Sequence, residues 1–285
     1  MSLKEELCKA ENTLSSNYID DARIEAELLL MHALGVGKAE LYTRLDESLP
    51  PSVMEKFWYS VQHRLCHEPT AYILKQCQFY GLHFYIDSRA LIPRPESELL
   101  VEEALMFANR HFSPESPCSI AEVGTGSGAI AIALALHLPE AEIYATDISA
   151  DALEVARINC QKYKVAQRVH LLLGDMLQPL SEPVNIILAN LPYVRDSEMN
   201  DLSPEIREFE PGVALAGGID GLDKIRQLLP QARQKLLPEG LVLLEIGYGQ
   251  GAAVTDLVEG HFPAAKVDLI PDLAGIERVV RVENQ

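Results

Sequence analysis

The spacing of apolar residues changes along the chain and gives it two textures. Up to about residue 75 they recur every three or four positions, the period of short amphipathic helices. Asp20-Asp21 offers an N-cap to a helix over Ala22–Leu34, with Ile24, Leu28, Met31 and the neighbouring leucines as its stripe and Gly35 as its stop. Pro50-Pro51 opens another helix in which Phe57, Val61 and Leu65 share a face. From about 76 to 92 the pattern alternates around Gly81, which predicts a hairpin. The stiff run Leu91-Ile92-Pro93-Arg94-Pro95 then leads into a helix from Ser97 to Arg110.

Beyond residue 118, dense apolar runs alternate with helical patterns, which predicts the α/β class with a doubly wound parallel sheet. The runs are Ser119–Val123, Glu142–Thr146, Arg168–Gly174, Val184–Ala189 and Leu241–Ile246, and a helix over Ala129–Leu138 follows the first. Lys266–Ile270 and Glu277–Val282 lie close together around Gly275 and predict a terminal antiparallel pair, making seven strands. The expected division is a helical domain over 1–75, a hairpin and linker over 76–95, and an α/β domain over 96–285.

Composition narrows the class. At 285 residues the chain has room for one large α/β domain and a smaller partner. No apolar stretch approaches the roughly 18 residues needed to span a bilayer, and the start lacks the basic and apolar blocks of a signal peptide. The five cysteines are scattered and contain no C-x-x-C pair, so a reducing, cytoplasmic setting is expected. Cys66-His67, with His63 and Cys77, matches no common zinc spacing, and no metal is expected. A net charge of −18, from 42 acidic against 24 basic residues, argues against a nucleic-acid partner and favours a protein or small-molecule substrate.

Two segments carry candidate chemistry. Gly124-Thr125-Gly126-Ser127-Gly128 joins a strand to a helix, where backbone can approach a ligand and free helix N–H groups point at it. Such a turn alone also fits a dinucleotide site or a plain tight turn. Asp147 ends the next strand, where a carboxylate can grip both hydroxyls of a ribose. Glu122 precedes the loop, where its charge would repel a pyrophosphate but suit the ammonium and sulfonium of S-adenosylmethionine. Asp175 and Met176, past the third run, are expected beside the adenine, with a turn cap the equal alternative for Asp175.

The second segment is Asn190-Leu191-Pro192-Tyr193, at the carboxyl end of a buried strand, where ligands bind in open α/β sheets. The Asn190 side-chain oxygen and the Leu191 carbonyl can accept the two hydrogens of a planar NH2 group, and the Tyr193 ring can cover its face. Seven strands with an antiparallel end is the pattern of S-adenosylmethionine-dependent methyltransferases.

Over nearly its whole length the chain resembles the release factor glutamine N5-methyltransferases, the HemK or PrmC family. The resemblance rests on Glu68-Pro69-Thr70-Ala71-Tyr72-Ile73, Leu91 to Glu98, Glu122 to Gly128, Asn190 to Tyr193, Phe209-Glu210-Pro211 and Gly217 to Leu222. It implies methyl transfer from S-adenosylmethionine to the glutamine of a release factor's Gly-Gly-Gln loop. It also implies an N-terminal domain that helps dock that factor, and a monomer is expected. The family has Pro where this chain has Leu191, which frees one φ angle and adds an N–H. Pro192 still pushes Leu191 out of the α region. A nucleic-acid amino-methyltransferase would present the same flat NH2 to Asn190. A non-enzymatic adaptor would keep the fold and cofactor.

Overall fold

A computed structural model describes residues 2–284 and divides the chain into two compact units. The first runs to Gln76 and also includes Ser203–Phe209; the second holds Cys77–Leu202 and Glu210–Gln285. Up to Gln76 the described residues of the first unit form five helices, α1 (Leu3–Ser16), α2 (Ala22–Leu34), α3 (Lys38–Thr43), α4 (Pro51–Leu65) and α5 (Thr70–Leu74), and its later segment is a further short helix over Pro204–Phe209. The five share a core that includes Leu3, Leu14, Leu29, Leu30, Phe57 and Val61.

Two local expectations for α2 need correction. Its buried face is Ala26, Glu27, Leu29 and Leu30, while Ile24 is 53% exposed. The four apolar residues Leu28 to Met31 cover more than one stripe, and packing chose the one continuing Ala26. Asp21 makes no side-chain cap, because its left-handed backbone (φ 52°) departs from the extended conformation typical of a capping residue. The other end is as expected: Gly35, at φ 69°, closes the helix with its N–H on the Met31 and His32 carbonyls.

The second unit opens with the hairpin β1 (Cys77–Phe79) and β2 (Leu82–Phe84), then α6 (Glu98–His111). Phe79 and Phe84 are buried in the core of this unit, so the hairpin belongs to it rather than to a separate linker. Seven strands form the main sheet: β3 (Ser119–Val123), β4 (Glu142–Asp147), β5 (Val169–Leu173), β6 (Val184–Ala189), β9 (Leu236–Glu245), β10 (Lys266–Pro271) and β11 (Glu277–Glu283). Their order is β10-β11-β9-β6-β3-β4-β5, with the pairs from β9 to β5 parallel and β11 antiparallel to its neighbours.

Continuous apolar runs follow from burial on both sheet faces. Ile186, Leu188, Leu241 and Leu243 face one core with Ile120 and Ile143, whereas Ile187, Ala189, Val242 and Leu244 face the other. Helix α7 (Ala129–His137) is buried from Ala129 through Ala135, and α8 (Ala150–Tyr163) starts at a Ser149 cap on the Ala152 N–H. Helices α10 (Asp223–Lys235) and α11 (Gly251–His261) pack on the second core. A short parallel pair, β7 (Val194–Arg195) with β8 (Ala216–Gly218), brackets an insertion containing α9 (Pro204–Phe209). The sequence pattern did not predict that pair. Among the described residues no helix is long and apolar enough to cross a membrane.

The placement of α2 has a direct check. Leu29→Ala should cost about 2–5 kcal/mol in urea unfolding, and Ile24→Ala should stay within about 0.5 kcal/mol. Equal losses would mean that the stripe runs through Ile24 after all.

Candidate active site

Sheet register assembles the site. Val123 lies opposite Thr146 on one side and Ala189 on the other, and Ala189 lies opposite Leu244. The next residue on each strand therefore emerges at one level: Gly124, Asp147, Asn190 and Glu245. These are carboxyl ends of parallel strands, the edge where open α/β sheets bind ligands. A cavity there is lined by Gly124, Gly126, Asp147, Asp175, Met176 and Asn190, with Leu191 and Pro192 beside them.

The glycine loop is held from below. Gly124, Gly126 and Gly128 all have positive φ, 75°, 55° and 78°. A Cβ at Gly126 would meet nothing within 4 Å, so the space before the loop is open to a ligand. The Gly124 and Thr125 N–H groups donate to the Thr146 carbonyl at 2.9 and 3.0 Å. Asn159, fully buried, donates to the carbonyls of Ser127 and Tyr85 and accepts from the Tyr85 N–H, tying the loop to the segment after the hairpin.

Glu122, Thr125, Ser127 and Gly128 are not on the cavity wall. Glu122 lies beneath the loop, where one carboxyl oxygen accepts from the Thr125 hydroxyl (2.6 Å) and the Ala131 N–H (3.0 Å). Burial pushes its pKa up to about 8; those two bonds oppose the rise, and Asp147 adds to it. Asp147 does reach the cavity, with its two oxygens accepting from the N–H groups of Gly126 (2.8 Å) and Ser149 (2.9 Å). Burial raises its pKa also. Asp175 lines the cavity, and its side chain accepts from the Gln178 side-chain Nε2 at 3.4 Å, a contact that caps no backbone group. Met176 sits at φ 50°, nearly buried.

The Asn190 amide is oriented by groups that the motif does not contain. Its Nδ2 donates to Ser97 Oγ at 3.0 Å, and Ser97 donates to Glu245 Oε2 at 2.5 Å. Tyr193 does not line the cavity. Its carbonyl accepts from Gln250 Nε2, which also reaches the Gly221 carbonyl, while Gln250 Oε1 accepts from the Gly247 N–H. Burial, reinforced by Glu245, pushes the Tyr193 phenol up to about 12.

The remaining motifs converge here. Arg94 donates through Nη2 to both oxygens of buried Glu210 at 2.7 Å, joining Ile-Pro-Arg-Pro to Phe-Glu-Pro. A Cβ on Gly217 would lie 2.8 Å from the Pro192 carbonyl oxygen, so only glycine lets that segment pack against the Asn190 turn. Sequence reading missed Ser97, Glu245, Gln250 and Asn159 as parts of the site; each acts across a separation in the chain that no local pattern reveals.

Strand order and the placement of the cavity define the fold as that of the S-adenosylmethionine-dependent methyltransferases. A solved methyltransferase from Pyrococcus furiosus, 17% identical, superimposes with a TM-score of 0.52 over 72% of this chain and 89% of its own, which bears on the fold alone. The PrmC N-terminal domain family matches residues 5–74, and the methyltransferase small domain family matches residues 100–206. A release factor glutamine methyltransferase of Moorella thermoacetica is 40% identical, covering 98% of this chain and 97% of its own. Another, of Cereibacter sphaeroides, is 38% identical, covering 94% and 93%. The chain belongs to the release factor glutamine methyltransferase family.

Glu122 makes stability depend on pH. The folded carboxyl keeps its proton to about pH 8, whereas the ordinary value is 4.5. The native state binds more protons between those limits, so this group's contribution falls as pH rises through them. Glu122→Gln should flatten the pH dependence of urea unfolding between pH 5 and 8. Parallel curves for the two proteins would refute the buried, protonated Glu122.

Proposed function

We infer that this protein transfers a methyl group from S-adenosylmethionine to the side-chain amide nitrogen of the glutamine in the Gly-Gly-Gln loop of peptide chain release factors. The observation that carries the reading is the Asn190 amide at the end of β6. Its nitrogen is taken by Ser97, so its oxygen is the end left to accept from a substrate amide.

The cavity fits an adenosyl ligand. Gly126 leaves open space before the loop, and Asp147, Asp175 and Met176 line the cavity, where the first would take the ribose hydroxyls and the other two would flank the adenine. Glycine-loop backbone would hold the methionine end, and Glu122 supports that loop from beneath. When bound, S-adenosylmethionine supplies an electrophilic methyl group on a sulfonium.

A glutamine amide is a poor nucleophile, because its lone pair is delocalised into the carbonyl. Asn190 Oδ1 and the Leu191 carbonyl accept its two N–H hydrogens, which holds the nitrogen in place and favours pyramidal geometry. Transfer would form the N–CH3 bond as the S–CH3 bond of S-adenosylmethionine breaks, leaving S-adenosylhomocysteine, and the nitrogen would then give up one proton. Positioning and fixed dipoles carry the rate, with no metal required. The cytoplasm, where release factors work, is the proposed location, and the helices of the N-terminal unit are the proposed docking surface for the factor.

Asn190→Ala should lower methyl transfer to purified release factor about 10²-fold or more, with only a modest drop in S-adenosylmethionine affinity by calorimetry. Asp147→Ala should do the reverse and weaken cofactor binding most. Near-normal turnover of Asn190→Ala, or equal labelling of RNA and release factor, would sink the assignment.

The docking role is tested by a chain beginning at Cys77, which keeps the hairpin phenylalanines in the core. It should bind cofactor and label a short Gly-Gly-Gln peptide weakly, yet lose most activity on intact factor. Full activity on the intact factor would remove the N-terminal unit from substrate recognition.

A further inference from the structure

Glu245 is an ionisable side chain buried at the level of the reacting groups, and the chemistry above does not use it. It is 2% exposed and ends β9, level with Asn190, the residue after β6, and opposite Val279 on β11. Its hydrogen-bond partner is the equally buried Ser97, at the turn before α6. The charged and titratable groups that act on it are Glu96 beside Ser97, Arg278 on β11, Arg94 in the linker and Tyr193 after β6. Both arginines carry other ion pairs, Arg94 with Glu210 and Arg278 with Asp272.

We propose that Glu245 is a positioning residue that, through the Ser97 hydroxyl, fixes which end of the Asn190 amide faces the substrate. This rests on the reading of Asn190 given above and deepens it. A hydroxyl has one hydrogen to donate. While Glu245 is ionised it can only accept, so the Ser97 hydrogen is committed to it at 2.5 Å. Ser97 Oγ is then left as an acceptor, and of the two ends of the Asn190 amide only Nδ2 can satisfy it, at 3.0 Å. Oδ1 is turned the other way, as an acceptor for the substrate NH2.

A proton on Glu245 reverses the direction of the chain. The carboxylic acid donates to Ser97, the hydroxyl hydrogen is released toward Asn190, and the amide flips to put Oδ1 on Ser97. The NH2 of Asn190 then faces the NH2 of the substrate, donor against donor. Burial raises the Glu245 pKa to about 7; the Ser97 bond opposes this, Glu96 adds to it, and Arg278 and Arg94 lower it. The carboxylate is thus discharged as pH falls through about 7, and turnover should fall with it.

The test uses the full-length protein, purified release factor and labelled S-adenosylmethionine. Ser97→Ala should lower kcat about tenfold to a hundredfold, the scale of a misplaced reacting group, and Glu245→Gln, whose amide can offer Ser97 either its oxygen or its NH2, should lower it less. The KM for cofactor should be unchanged. The wild-type kcat should rise with pH through about 7, while Glu245→Gln should lose that limb. Ser97→Thr, which keeps the hydroxyl, should restore most of the rate. Wild-type kcat and an intact acid limb in Glu245→Gln would overturn the proposal. So would losses in Ser97→Ala and Glu245→Gln matched by equal losses of cofactor affinity and thermal stability, or a Ser97→Thr variant as slow as Ser97→Ala. Asn190→Ala run alongside separates the two readings. If it stays active, the assignment of Asn190 itself fails; if it is dead while Ser97→Ala and Glu245→Gln turn over normally, only the relay fails.

Discussion

Everything at the site depends on the register of four parallel strands. Because Val123, Thr146, Ala189 and Leu244 lie at one level, the residues that follow them come together at one edge of the sheet. A one-residue slip of β6 would turn Asn190 to the other face and exchange the two cores that Ile187 and Leu188 separate. Burial of both sheet faces makes such a slip costly, and that cost is what holds the chemical groups in line.

Around that frame, the polar groups form paired supports rather than isolated contacts. Asn159 carries the glycine loop, Gln250 spans the turns at Tyr193, Gly221 and Gly247, and Arg94 joins Glu210. Each support bonds backbone or charge that would be costly to bury unpaired. Leu191 replaces the proline of the resembling family without opening a gap: it is buried, and a Cβ on Gly124 would lie 3.6 Å from its Cδ2.

Charge divides the roles further. The buried carboxyls of Glu122 and Glu245 and the half-buried one of Asp147 all have raised pKa values because withdrawal from water penalises the ion. Exposed carboxylates such as Asp220, held well below the usual range by Arg226, stay charged and supply the acidic surface.

How far the sequence reaches can be judged residue by residue. Apolar runs bounded by Gly124, Asp147 and Pro192 identified the central strands, since a strand buried on both faces must be apolar throughout. Gly35 marked a helix end because its backbone angle excludes most other residues. The glycine loop and Asn190 were legible for the same reason: local backbone geometry and a single functional group write themselves into adjacent positions. Ile24 misled because a run of apolar residues satisfies several helix faces, and only packing in the N-terminal unit selects one. Glu122 lies beneath the loop and not on the cavity wall because the turn from β3 into α7 points its carboxyl at Thr125 and Ala131. Ser97 and Glu245 lie 148 residues apart and meet only when β9 pairs with β6 and the linker crosses their ends. Sequence alone therefore determined the strands, the turns and the place of Asn190 at the end of a buried strand; the tertiary structure decided which way the Asn190 amide points, because its orientation is set by hydrogen bonds between distant segments.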